Sequence, residues 1–311
     1  MEKYQQRRDY LKENIHFHLS SFGFGVYCDY AICSRMDGSE KAPAIDMECI
    51  KKLKNGDKLF FNACSAQHMN EQIVTYICHC LNECKLQLNL YIMYEPVFPW
   101  RYIEMLLPFS INIFLMNNEY DHPKIHHMPI GIRDGEEVRL AHKHFSQKTL
   151  FIEGNTPREK KYLCMICYSP NDERNKCTAA IGDKPFVLNL NTETFAKQPS
   201  IHCGKIPVWI NYQKTHESWY IPSPPGAGVD CHRFYEAIYL DAIPIVKRTH
   251  GVFDKLYRAF PCLIVDDWTD ITEDFLEKKK PEMIKKQQEF KEKYPNWITD
   301  VGSIHELLLK T

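Results

Sequence analysis

Short apolar runs alternate with amphipathic stretches along most of the chain. KLFFNA (58–63) follows a Gly-Asp pair and reads as a buried strand. HMNEQIVTYICHCLNEC (68–84) places Ile73, Val74, Ile77, Cys78 and Leu81 at helical spacing. LNLYIM (88–93) predicts the next strand, WRYIEMLLP (100–108) a helix ended by its proline, and INIFLMN (111–117) a third strand. Before residue 57, GFGVYCDY is expected to hold the first strand. The alternation restarts with a strand in KYLCMICYS (161–169), a helix around 173–180 and a strand in PFVLNL (185–190). WYIP (219–222), a helix over CHRFYEAIYLD, IPIV (243–246) and CLIVDDW (262–268) continue it, and a charged helix begins near 271. Alternating strands and helices joined by right-handed crossovers make parallel sheets, so the fold class is α/β. Pro129, Gly131 and Gly135 interrupt the pattern in HHMPIGIRDGEE (126–137), and His126 and His127 are expected to pack between domains. The expected ranges are 1–140, 141–275 and a helical tail over 276–311.

Composition narrows the class. A chain of 311 residues suits two domains. Lys and Arg number 39 against 40 Asp and Glu, a net charge of −1, which excludes a strongly basic protein built to hold nucleic acid by neutralising phosphates and leaves only a local basic patch open. The tail KKKPEMIKKQQEFKEKY reads as a solvated face. No apolar run approaches the ~18 residues of a membrane span, and MEKYQQRRDYLKEN has no apolar signal core. A soluble, cytoplasmic protein is expected. The 13 cysteines are scattered, several inside apolar runs such as LCMICY, and read as reduced core thiols. Cys164 and Cys167 have a zinc-like or redox spacing, but residues three apart on a strand face opposite ways.

The chemistry concentrates in SPPGAGVDCHRFYEAIYLDAIPIV (223–246). A strand runs into a Pro/Gly loop, a helix starts near Asp230 and another strand follows. Gly226 and Gly228 let the backbone approach a ligand closely, and Asp230 is the expected N-cap. The amides of the first helical turn form an anion site, with His232 and Arg233 within that turn. Arg233 and Glu236 share a helical face. A guanidinium there suits a diphosphate, and a carboxylate one turn on can accept hydrogen bonds from ribose hydroxyls. The plain alternative is a surface Arg–Glu pair.

This segment resembles the nucleotide-sugar segment of exostosin-like glycosyltransferases. Pro225, Gly226, Gly228, Asp230, Arg233, Glu236, Ala237, Ile243 and Pro244 carry the resemblance. CLIVDDWTDI is similar to the family's strand and acidic-aromatic loop, and PIGIRDG (129–135) to its interdomain stretch. YSPNDERNKC (168–177) resembles the turn whose arginine, here Arg174, faces the donor phosphates. The resemblance implies a GT-B fold, two Rossmann-like domains facing across a cleft, with the donor on the C-terminal one. It further implies an enzyme that moves a sugar from a UDP- or GDP-sugar to a hydroxyl of a glycan or glycoprotein acceptor, with inversion. Ser223 and His232 join the donor-binding set. The family's anchorless members in large DNA viruses are the expected relatives, which would place a viral protein in the host cytoplasm.

Asp-x-Asp, the pair through which other transferases hold Mn²⁺ or Mg²⁺, is absent. Asp266, Asp267 and Asp270 are the nearest approach. No metal or other cofactor is therefore expected, and Arg174, Arg233 and the helix amides would stabilise the leaving diphosphate. Inversion needs a general base. Glu95, which follows a strand beside Tyr94, Phe98 and Trp100, is the first candidate; Asp121, Glu119, His68 and Asp134 are others. A nucleotide-sugar epimerase and a non-catalytic sugar-binding module are the rival readings.

Overall fold

The computed structural model describes residues 17, 19–33, 50–63, 71–94, 97–133, 146–191, 201–202 and 206–311. The chain divides into two compact units. The first is Met1–Ile130 with Gly251–Leu256 and Trp297–Thr311; the second is Gly131–His250 with Tyr257–Asn296. The division differs from three consecutive ranges: the tail over 276–311 is not a unit of its own, and its two parts belong to different units.

The first unit contains α1 (Ser21–Tyr27), β1 (Tyr30–Cys33), β2 (Lys58–Ala63), α2 (Glu71–Glu83), β3 (Leu88–Tyr94), α3 (Trp100–Leu106), β4 (Ser110–Leu115) and β5 (Ile125–His127). Its five strands lie in sequential order β1-β2-β3-β4-β5, all parallel. Each step runs in the same direction, so right-handed crossovers place α2 and α3 on one face. There Val74, Ile77, Leu81, Tyr102 and Ile103 pack on Leu59, Phe61, Leu90 and Ile113. Tyr91 and Phe114 stack on the sheet with centroids 4.5 Å apart, and Tyr91 meets Phe24 and Tyr27 of α1. The returning segment joins them: His305 Nδ1 lies 3.3 Å from the Tyr91 hydroxyl, and the Leu19 N–H donates to the Ile298 carbonyl.

GFGVYCDY is thus mostly helix, with its strand delayed to Tyr30. Ser20 caps α1, its hydroxyl accepting from the Gly23 N–H at 3.1 Å, and burial of Phe24 outweighs the poor helix propensity of two glycines. His126 and His127 form the end of an edge strand. His127 is fully buried inside the first unit, its Nε2 donating to the Val252 carbonyl at 2.9 Å and its ring edge-on to Phe253.

The second unit contains α4 (Ser146–Gly154), β6 (Tyr162–Ile166), α5 (Asp172–Ile181), β7 (Val187–Asn189), a small antiparallel pair β8 (Ile201–His202) and β9 (Ile206–Pro207), α6 (Val208–His216), β10 (Ser218–Pro222), α7 (His232–Tyr239) and β11 (Ile243–Lys247). The chain then runs through α8 (Asp254–Ala259), which straddles the two units, to β12 (Leu263–Val265) and α9 (Glu273–Lys293). The main sheet is parallel, in the order β12-β11-β10-β6-β7. From β6 the chain winds outward to β7; from β10 it winds the other way to β11 and β12. The direction of winding therefore reverses between β6 and β10. Open α/β sheets bind ligands beyond the carboxyl ends of the strands at such a point. Both faces are covered: Cys164, Ile166, Tyr220 and Ile245 pack with α5 and α9, and Met165, Cys167 and Ile221 with Ala237 of α7. Cys164 and Cys167 are free thiols on opposite faces, as their spacing requires.

Candidate functional site

The residues that follow β6 and β10 meet at this reversal. After β6, Tyr168 is buried, its N–H donating to Asn191 Oδ1 at 2.7 Å and its hydroxyl accepting from Thr178 at 3.2 Å. Asn171 then caps α5, Oδ1 accepting the Arg174 N–H at 2.8 Å. Arg174 projects from the first turn of α5. Its Nη1 donates to the Ser169 carbonyl at 3.1 Å, and its guanidinium carbon lies 5.9 Å from the Tyr168 ring centroid.

After β10 the chain enters the Pro/Gly loop. Ser223 is buried; its N–H donates to the Ile245 carbonyl at 2.8 Å and its hydroxyl to the Ile221 carbonyl at 3.2 Å, so it anchors the loop's base. The Gly226 N–H closes on the Gly228 carbonyl at 3.0 Å in a tight turn. Asn171 Nδ2 donates to the carbonyls of Pro225 at 3.0 Å and Gly226 at 3.4 Å. A Cβ at position 226 would stand 3.1 Å from Arg174 Nη2, so glycine is what lets the guanidinium lie against the loop. At its far end the loop is held by Val229, whose carbonyl accepts the Tyr257 hydroxyl at 3.3 Å.

Asp230 is not the N-cap of α7; Cys231 is, and it makes no side-chain capping bond. The Asp230 carboxylate is instead engaged by the Cys231 N–H (2.9 Å) and the buried Tyr235 hydroxyl (2.7 Å). In the first turn of α7, His232 Nδ1 donates to the Gly131 carbonyl at 2.7 Å, which directs this imidazole to the start of the second unit. The Arg233 guanidinium carbon lies 5.3 Å from the Tyr168 centroid, so two guanidiniums converge on one ring. Both also act on the Cys231 thiol: burial pushes it up, while Arg233 and, less strongly, Arg174 pull it down. Glu236 accepts from the Tyr212 hydroxyl of α6 at 3.1 Å, and its second oxygen meets no protein donor among the described residues. With Arg233 9% and Glu236 3% exposed, a surface ion pair does not describe them.

The structure thus gathers Arg174, Gly226, Arg233 and the loop through Gly228 at the carboxyl ends of β6 and β10, with Glu236 one turn further along α7. Tyr168, Asn171 and Tyr212 were not singled out from sequence. Of these, Asn171 had a legible signal, an Asn directly before Asp-Glu, which is the pattern of a helix start. Two guanidiniums beside a glycine turn and a helix end without a side-chain cap can bind an anion. A buried carboxylate with a spare oxygen can accept a hydroxyl.

The candidate bases fall elsewhere. Glu95, His68 and Asp134 lie outside the described residues. Asp121 belongs to the first unit, on the loop before β5, where its exposed carboxylate pairs with Lys255 at 3.1 Å. Glu119 is exposed on the same loop. Phe98 is buried core, whereas Trp100 is part-exposed and packs on Tyr120. Asp267 and Asp270 cap the short turn Trp268–Asp270 reciprocally, and Asp266 and Asp267 meet Arg248 (2.5 Å) and Lys247 (3.3 Å). The Thr269 N–H and hydroxyl, with Lys247, hold Asp267 down to about 2. Among the described residues no cluster of three or more His, Cys, Asp or Glu is placed to hold a metal ion, and no helix is long and apolar enough to cross a membrane. No family model matches the sequence, and no curated protein matches it either.

Proposed function

We propose that the second unit binds a nucleoside diphosphate and that the protein is a glycosyltransferase of GT-B type. It would move a sugar from a UDP- or GDP-sugar to a hydroxyl of a glycan or glycoprotein acceptor, with inversion. The observation that carries the reading is the convergence of Arg174 and Arg233 on Tyr168, beside a glycine turn, at the reversal between β6 and β10. The resemblance of residues 223–246 to the exostosin-like family supports the same reading.

In the proposed reaction the acceptor oxygen bonds to the anomeric carbon as the bond from that carbon to the diphosphate oxygen breaks. The hydroxyl proton passes to a carboxylate base, with Glu95 the first candidate. Arg174 and Arg233 take the negative charge that develops on the leaving diphosphate, fixed dipoles and charges being most effective where charge develops. Glu236 orients the ribose through its free oxygen. Because two guanidiniums serve the diphosphate, the proposal assigns the reaction no metal and no other cofactor.

The test is a thermal-shift panel in EDTA-containing buffer with UDP, GDP and their sugars. A ligand that binds only the folded state raises Tm. UDP or GDP is expected to raise it, and a matching sugar nucleotide with a glycan acceptor is expected to release free diphosphate nucleotide. A panel with no shift overturns the reading. Epimer formed without acceptor, or tight binding without turnover, replaces transfer by the corresponding rival.

A further inference from the structure

Asn171 is placed between the two anion-binding elements and joined to both. Oδ1 accepts the Arg174 N–H at 2.8 Å, which fixes the first turn of α5 and the origin of the Arg174 side chain. Nδ2 donates to the Pro225 carbonyl at 3.0 Å and the Gly226 carbonyl at 3.4 Å. Elsewhere the loop is secured at its two ends, by Ser223 on Ile245 and by Tyr257 on Val229. At its apex the Gly226 N–H bonds within the loop. Among the described residues, Asn171 alone hydrogen-bonds the apex, residues 225–228, to another element. The spacing it sets is tight, since a Cβ at 226 would already stand 3.1 Å from Arg174 Nη2.

We propose that Asn171 is a positioning residue for the diphosphate. One amide holds the glycine turn and the Arg174 guanidinium in fixed register, side by side, as one surface for a diphosphate, while its own polar atoms remain engaged by the protein. This inference rests on the diphosphate reading of the site and adds to it a residue that acts through Arg174 and the loop. It follows that Asn171 governs the part of the ligand common to every nucleoside diphosphate and is indifferent to the base.

The experiment uses the full chain, with UDP and inorganic pyrophosphate as probes in calorimetry. N171S keeps an N-cap oxygen and removes the amide donor, so Tm should stay close to that of the unsubstituted protein. The affinities for UDP and for pyrophosphate should both fall about tenfold or more, by the same factor, as expected when one hydrogen bond that organises a charged site is lost. In an R174A background, N171S should add little further loss, because residues that act as a unit are not additive. If N171S does not fold, N171T, which also retains a cap hydroxyl, takes its place. Unchanged affinity in a folded variant, a loss confined to UDP, or full additivity with R174A overturns the assignment while the diphosphate reading stands. Failure of the unsubstituted protein to bind either probe overturns both.

Discussion

Arg233 has the most demanding environment of any residue in the candidate site. A guanidinium only 9% exposed must be held by its surroundings, and the Tyr168 ring at 5.3 Å is one such contact. R233A is expected to weaken UDP binding by about 2–3 kcal/mol, the scale of a charge-assisted hydrogen bond, and calorimetry checks it. An affinity equal to that of the unsubstituted protein would remove Arg233 from the site. The residue scale is also where the sequence was most and least legible. Gly226, Arg233 and Glu236 could be picked out because spacing after a strand and along a helix fixes which side chains converge, and Arg174 through the resemblance of YSPNDERNKC to a known turn. Tyr168, Tyr212 and the loop-holding role of Asn171 could not, because they depend on partners 10 to 55 residues away, Thr178, Glu236 and Gly226 among them, or on charges such as Arg233. Asp230 misled for a local reason: an Asp before a helix looks like an N-cap whether its carboxylate turns to the helix amides or, as here, to Tyr235.

At the scale of elements, α7 is held on several sides. Phe234 and Tyr235 pack with Tyr257 and Phe260 at centroid distances of 5.4–5.8 Å, and Phe260 continues the cluster to Phe290 of α9. Near its C-terminus Tyr239 lies against Gly154, the last residue of α4, so closely that a Cβ there would stand 2.3 Å from the ring. G154A is therefore expected to destabilise the protein by about 1–3 kcal/mol, as overpacking does, in a chemical-denaturation measurement, with the loss reduced in a G154A/Y239A background. A neutral G154A would mean that Tyr239 swings aside freely. Just beyond these ends, Lys160 Nζ donates to the carbonyls of His216, Ser218 and, at 3.5 Å, Leu240, joining the ends of α6 and α7. Burial pulls Lys160 down, to about 7, yet three carbonyl acceptors call for an ammonium donor. The strands of both sheets were largely legible because buried parallel strands are short continuous apolar runs. By contrast α4 and α6 are hard to read, since SQKTLFIEG and VWINYQKTH lack a clear apolar stripe and are helical through their packing, whereas Phe253, Leu256, Tyr257 and Phe260 around α8 do follow a helical period.

For the molecule as a whole, acid is the expected weakness. Burial lowers His126, His127, His216 and His305 below the ordinary imidazole value, His127 to about 4. In the unfolded chain these rings protonate near 6.5, so below that pH the unfolded state takes up more protons and stability falls. The loss should accumulate between about pH 6.5 and 4, with fully buried His127 contributing up to about 3 kcal/mol at the acid end. Urea midpoints at pH 7.5, 6 and 5 measure it: they should decline, less steeply in H127Q, and a flat series would refute the expectation. The order in which the chain leaves the ribosome adds a constraint of another kind. The second unit has all its parts once Asn296 has emerged, but the first waits for Trp297–Thr311, which are made after it. Until they arrive, the Tyr91 and Phe114 face of the first unit's sheet lacks His305, and nascent chains stalled before Trp297 should present that apolar face to chaperones.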